Sequence, residues 1–374
     1  LLKSAADRMP LAIDFRFPQA GITEWEVNVA EQMSAVMRFA VNDGAMQIQG
    51  ANLQIGGSTA SAPVRPGLVI GGETDQLSVD DWLSVDYGPD QEGGPEQILT
   101  AVDLTVTDLR LMGQHVSNAE LSLQQDTAAW QADISSETIS GSAIIPFDLY
   151  GDEPVVLELE RLAIDDEEID GGDDRLDPKL VPSATISIGD FSMESVRLGR
   201  MSGEIQHLPD GFSTEGLRLE GDSFIIELAG SSLQSALRDE SRFTLQFNSD
   251  DVGGALKFMG FASGIDAEKG EFTADIGWTG GLPPSILAVA TGEASINLDQ
   301  GSLEEVEPGS GRVFGLLSVQ ALPQRLLLDF RDVFQKGLYF EKFRGKFAIS
   351  DGKAYSDNMV LKGRAADIGI VGTV

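Results

Sequence analysis

Apolar and polar residues alternate with a period of two through most of this chain, the repeat that puts every second side chain of a β-strand on one face. Leu104 and Val106 alternate in this way, as do Leu121 and Leu123, and then Val155, Leu157 and Leu159. Ile186 and Ile188 continue the pattern, followed by Leu217 and Leu219 and by Phe224, Ile226 and Leu228. Phe243, Leu245 and Phe247 carry it on, and Ile368 and Ile370 close it. Gly, Asn and Asp punctuate the runs at turn-like intervals. The pattern predicts a mainly β protein, an elongated and twisted antiparallel sheet with a few short helices.

The phase slips by one residue in places. Leu104 and Val106 give way to Leu109 and Leu111, and Ile186 and Ile188 give way to Phe191 and Met193. One extra residue in a strand is the sequence mark of a β-bulge, which bends and twists the strand.

The slips belong to an internal repeat. A shift of 142 residues carries Leu198 to Phe340, Met201 to Phe343, Gly203 to Gly345, Leu217 to Met359 and Leu219 to Leu361. It also carries Ile226 to Ile368 and Leu228 to Ile370 without a gap. A shift of 82 in the other direction recovers a weaker copy, Ile186 falling on Leu104 and Phe212 on Trp130. A repeated multi-strand unit argues for stacked β structure over a closed globule.

Few helices are expected. Asp250 is placed to cap a helix whose apolar face is Val252, Ala255, Leu256 and Met259. Val313 to Leu322 is a second candidate, stopped by Pro323. A short turn is expected after Asp80, and Glu31 to Phe39 suits helix or strand. Residues 1–95 read as a β segment with a short helix. Residues 96–182 read as a β repeat ending in an acidic linker. Residues 183–374 carry the remaining repeats, with helices near 250–261 and 313–322.

Composition narrows the chemistry. The chain has 374 residues, 42% of them hydrophobic, so it can bury a sizeable core. Its net charge of −34 repels nucleic acid and anionic bilayers and reads as a very soluble surface. No cysteine is present, which removes disulfides, thiolate metal sites and cysteine nucleophiles. No signal peptide and no long apolar run is seen. The chain opens on Leu1 and closes on Val374 inside a strand-like run, as an excised piece would.

Candidate catalytic residues are missing. His115 and His207 are the two histidines, neither at metal-binding spacing, and each reads as structural. Asp166, Glu168, Asp170, Gly171 and Asp177 imitate a calcium loop, but the run from Val155 alternates like a strand, so the entering helix is absent. Gly309, Ser310, Gly311 and Arg312 read as a helix entry lacking the lysine of a phosphate loop. No catalytic residue, metal or cofactor is therefore expected, and the chain does not read as an enzyme.

What remains is the repeated apolar stripe. An uncovered sheet of this length would be costly and sticky, so protein or lipid must cover it. Periodicity does not choose between these covers.

The stretch from Gly309, GSGRVFGLLSVQALPQRLLLDFRDVFQKGLYFEKFRGKFAISDGKAYSDNMVLKG, resembles the signature segment of YhdP-type proteins of the AsmA-like superfamily. The matching elements are G-x-G-R before an apolar G-L-L-S, then A-L-P-x-R-L, then D-F-R-D-x-F. SDDVGGALKFMGF resembles the recurrent short helix of AsmA-like domains, and LSVDDWL and PGLVIGGE are similar to earlier family blocks. The resemblance implies a periplasmic protein of a Gram-negative bacterium, anchored in the inner membrane by a segment outside this chain. It implies a long apolar β-groove that moves phospholipid toward the outer membrane. Leu217, Leu219, Phe224, Ile226 and Leu228, with their repeat partners Met359, Leu361, Ile368 and Ile370, are the groove candidates by parity. Phe314, Leu316 and Leu317 are candidates for a helical gate or cap. The alternative is a non-transporting envelope spacer whose β core is filled by its own side chains.

Overall fold

The computed structural model describes residues 9–42, 45–79, 98–111, 114–164, 175–193, 196–236, 239–261, 264–283, 286–303, 338–350, 353–364 and 367–373. They fall into two compact units, Leu1–Leu149 with Val156–Arg161, and Tyr150–Val155 with Leu162–Val374. The protein is mainly β, as the alternation predicts.

Unit one holds β1 (Leu11–Gln19), β2 (Ile22–Val29), β3 (Met33–Asn42), β4 (Ala45–Ile55), β5 (Leu68–Ser78), β6 (Leu99–Leu111), β7 (Gln114–Gln125), β8 (Ala129–Ser135), β9 (Ile139–Pro146) and the middle of β10 (Val155–Ile164). The ambiguous stretch from Glu31 is therefore a strand. Strands adjacent in sequence pair throughout; β4–β5 and β5–β6 are parallel, the other pairs from β1 to β9 antiparallel, and β9 pairs with β10. The sheet is thus mixed. Alternation reports the face of a side chain and not the direction of its strand, so these two pairs left no mark in the pattern.

Unit two holds β11 (Ala184–Met193), β12 (Val196–Leu208), β13 (Gly211–Glu220), β14 (Phe224–Gln234), β15 (Asp239–Ser249), β16 (Ile265–Trp278), β17 (Thr291–Leu303), β18 (Leu338–Ser350), β19 (Lys353–Lys362) and β20 (Asp367–Thr373). Each pairs with the next, antiparallel. Helix α1 (Val252–Phe258) and the single turn α2 (Ile286–Val289) lie between them, and a 3-10 turn at Pro178–Leu180 precedes β11.

The 142-residue repeat is a repeat of backbone. The same shift carries β12 onto β18 and β13 onto β19, end for end. The bulges repeat too. Register shifts between Ser202 and Gln206 and between Thr214 and Leu217 recur between Arg344 and Ala348 and between Ser356 and Met359. Each bulge has a buried hydroxyl at the same place, Thr214 at 4% exposure and Ser356 at 2%. The Thr214 hydroxyl donates to the Glu204 carbonyl at 2.8 Å, pairing a backbone acceptor near the irregular pairing. Each also has a glycine that must be one. A Cβ on Gly203 would meet the Leu217 side chain at 3.0 Å, and one on Gly345 would meet Met359 Cγ at 2.6 Å, and the two neighbours are themselves repeat partners.

The slip at Ile188 is a true bulge, with the register shifting before Phe191. The slip after Val106 is not. β6 and β7 keep one register on both sides of it, and Asn118 absorbs the irregularity at φ 51°. A left-handed residue turns the strand locally without adding one. The 82-residue copy is visible in unit one, where β7 and β8 begin that far before β12 and β13.

Candidate functional site

Directly opposed residues on paired strands point to the same face, so register alone builds the candidate surface in unit two. Ile188 stands opposite Met201, Met201 opposite Leu219, and Leu219 opposite Ile226. The row continues through Phe247 and Phe272 to Ile296. A second row runs from Leu217 through Leu228, Leu245, Ala274 and Ala294 to Phe347. A third links Leu298, Phe343, Leu361 and Ile368. One residue out of phase, the other face reads Ser202, Arg218, Glu227, Gln246, Thr273, Ser295 and Lys346. That face is laced by Arg218 Nη1 to Glu227 Oε1 at 2.9 Å, Thr273 to Ser295 hydroxyls at 2.6 Å, and Arg344 Nε to Asn297 Oδ1 at 3.0 Å.

All nine sequence candidates lie on the apolar face, in two groups. Phe224, Met359 and Leu361 are 3%, 6% and 1% exposed, so protein covers them. Leu217, Leu219, Ile226, Leu228, Ile368 and Ile370 are half-buried.

Two local covers explain the division. The first is α1. Asp251, not the expected Asp250, caps it, its Oδ1 accepting from Gly254 N at 2.8 Å. Ala255 and Met259 pack on Phe224, with Ile226 and Phe247 against the same cluster. Val252 reaches the neighbouring cluster of Leu298, Phe340, Phe343, Met359 and Leu361. It does so over Gly270, where a Cβ would lie 2.5 Å from Val252 Cγ2. Phe258 sets its edge against Phe224 at 5.6 Å between ring centroids. Intrinsic propensity does not hold this helix together. It has seven residues, two of them glycine, each costing about 1 kcal/mol against alanine.

The second cover lies toward the other ends of the strands. Phe212, Phe243 and Trp278 form a buried cluster against which Val181, Leu282 and Val289 pack. Trp278 Nε1 donates to the Gly281 carbonyl at 3.1 Å, and Leu176 and Leu282 exchange backbone bonds of 3.0 Å. Along β14 the two covers come close together, Ile226 packing against the first cluster and Leu228, two residues on, against the second. Leu217 and Leu219 lie outside both clusters. The sequence did not reveal these covers, because a cover depends on how connecting segments fold back over the strands.

The histidines hold structure. His115 Nδ1 is 3.2 Å from Asp108 Oδ1, and His207 Nδ1 is 2.9 Å from the Val181 carbonyl with its ring 4.9 Å from Tyr150. Asp177 caps the 3-10 turn, accepting from Lys179 N at 2.9 Å. Phe314, Leu316 and Leu317, the rest of 313–322, Gly309 to Arg312, the turn after Asp80, and Asp166, Glu168, Asp170 and Gly171 lie outside the described residues. Among the described residues no group of three or more His, Asp or Glu is placed to hold a metal ion, and no helix is long and apolar enough to cross a membrane. An open cavity of about 710 Å³ lies along β6–β10 in unit one, lined by Asp103, Glu120, Asp133, Glu158 and Glu160 together with Leu104, Leu121 and Ile134.

Strands of one phase joined into an apolar face, backed by a hydrogen-bonded polar face, define a mainly β protein built on a repeated sheet unit. The chain belongs to the YhdP family, whose model, described as YhdP protein, matches residues 1–374. It is 29% identical over 179 residues to the intermembrane phospholipid transporter YhdP of Escherichia coli (strain K12). That match covers 46% of this chain and 13% of the relative, so the chain corresponds to a small part of the relative's length. No solved structure matches the chain.

Proposed function

We propose that the apolar face of β11–β20 is a trough that holds phospholipid acyl chains, and that the chain is one stretch of a periplasmic conduit carrying phospholipid between the inner and outer membranes of a Gram-negative bacterium. One observation carries the reading. Apolar rows run in register from strand to strand, and Leu217, Leu219, Ile226 and Leu228 are half-buried under local covers with no second sheet paired to them among the described residues. Covering one such side chain stabilises by about 1.5–3 kcal/mol, which an acyl chain supplies as well as a protein side chain does. Membership of the YhdP family and the similarity to a phospholipid transporter support lipid as the cover. Such a function requires no bond to be made or broken, in keeping with an expected lack of catalytic residues. Anchoring in the inner membrane belongs to the same reading and falls to a segment other than these strands.

Native mass spectrometry of the purified chain, with a melting curve before and after delipidation, tests the reading. We expect co-purified phospholipid and a lower melting temperature once it is stripped. A ligand present at a hundred times its Kd contributes about 2.7 kcal/mol. A chain that carries no lipid and melts identically after detergent extraction would favour the self-filled spacer.

A further inference from the structure

We propose that α1 is a displaceable lid on the trough, an intramolecular stand-in for an acyl chain that lipid must move aside to occupy the rows beneath it. The proposal rests on the acyl-trough reading. α1 covers Phe224, Ile226 and Phe247 with Ala255, Leu256 and Met259. The same row continues directly to Leu219, which α1 does not cover. The covering groups are aliphatic carbon, a thioether and the Phe258 ring, all apolar like an acyl chain, so lid and lipid compete for one surface.

The lid is built to leave. Its seven residues include Gly253 and Gly254, so it stays helical only while docked. Apart from Val252, which docks in the neighbouring cluster, and the buried Ala255, its hold on the strands is local. Asp251 caps the helix, Ser223 donates to the Asp251 carbonyl at 3.3 Å, and Asp251 N donates to Ser249 Oγ at 3.1 Å. From the rim, the Arg197 guanidinium stacks on the Phe258 ring at 4.8 Å while its Nε holds Asp190 at 2.9 Å. Gly260, at φ 85°, ends the segment with a residue that turns freely. Releasing the lid breaks no strand pairing, because α1 lies in the connection between β15 and β16.

A disulfide tests the lid. A Cβ at Gly253 would stand 3.7 Å from the Asp266 Cβ, inside the range of about 3.5–4.5 Å that disulfides span. The chain has no cysteine of its own, so Gly253→Cys with Asp266→Cys forms a single lockable pair. A photocrosslinking residue is placed at Ile226 under the lid, or at Leu219 beside it, and phospholipid captured by the whole chain is measured oxidised and reduced. Locking should cut capture at 226 about tenfold, leave capture at 219 unchanged, and be reversed by reductant. Asp251→Ala, which removes the cap, should raise capture at 226 about fivefold, independently of the disulfide. Equal capture at 226 in locked and reduced protein, or capture at 219 with none at 226 in any variant, overturns the lid and leaves the trough standing. No capture at either position without the lock overturns the trough itself, and the lid with it.

Discussion

The strand pairs β12–β13 and β18–β19 share bounds and bulges, yet several apolar positions that are half-open in the first pair are closed in the second. Leu219 is half-buried while its partner Leu361 is 1% exposed, and Leu217 is half-buried while Met359 is 6% exposed. Met201 and Leu198 are half-buried, whereas Phe343 and Phe340 are 1% and 4% exposed. Two differences produce this. The second copy has phenylalanine at three positions where the first has Leu198, Met201 and Ile205. It also receives Val252 of the helix, together with Ile265, Ala267 and Leu298 from β16 and β17. Backbone features fix where the apolar face lies, and side-chain size with local cover fixes whether it stays accessible. One scaffold thus serves as core in one place and as ligand surface in another.

That contrast can be broken by substitution. The largest effect is expected at Leu361→Asp, which buries an unpaired carboxylate in a closed cluster. It should cost about 4 kcal/mol or more in the unfolding free energy from denaturant titration. Leu219→Asp, at the equivalent and more open position, should cost under about half of that, because the carboxylate keeps water. Equal losses would mean that the two copies are equally packed. Phe343→Ala should cost about 3–5 kcal/mol by cavity formation, against about 1 kcal/mol for Met201→Ala, measured in the same way. Thr214→Val removes the hydroxyl that serves the Glu204 carbonyl and should cost about 1 kcal/mol, with a similar loss for Ser356→Ala if the two bulges are equivalent. Arg218→Ala on the polar face removes an exposed ion pair with Glu227 and should move the melting temperature least, within about 0.5 kcal/mol.

Much of the fold was legible because a strand's period of two is a direct consequence of its geometry. The parity of Phe224, Ile226 and Leu228 identified their common face, and the 142-residue shift identified β18–β20 through Gly345, Met359 and Leu361. Strand direction at β5 was not legible, since parallel and antiparallel partners alternate alike. The slip after Val106 looked like the one after Ile188, although Asn118 resolves the first by a change of φ and a register shift resolves the second. Helix α1 was legible from its apolar spacing, with its cap at Asp251, one residue after the expected Asp250, but its docking over Ile226 was not. That docking depends on Gly270 leaving room for Val252, a contact between residues on different elements.

The central claim is that the half-buried rows, and not the whole apolar face, receive acyl chains. Photocrosslinking residues placed one at a time at Leu219, Leu361 and Arg218, in protein purified with its native lipid, test it most directly. The account predicts phospholipid adducts at 219 and none at 361, where protein fills the space, or at 218 on the polar face. Labelling at all three positions alike, or adducts at 361 with none at 219, would contradict it.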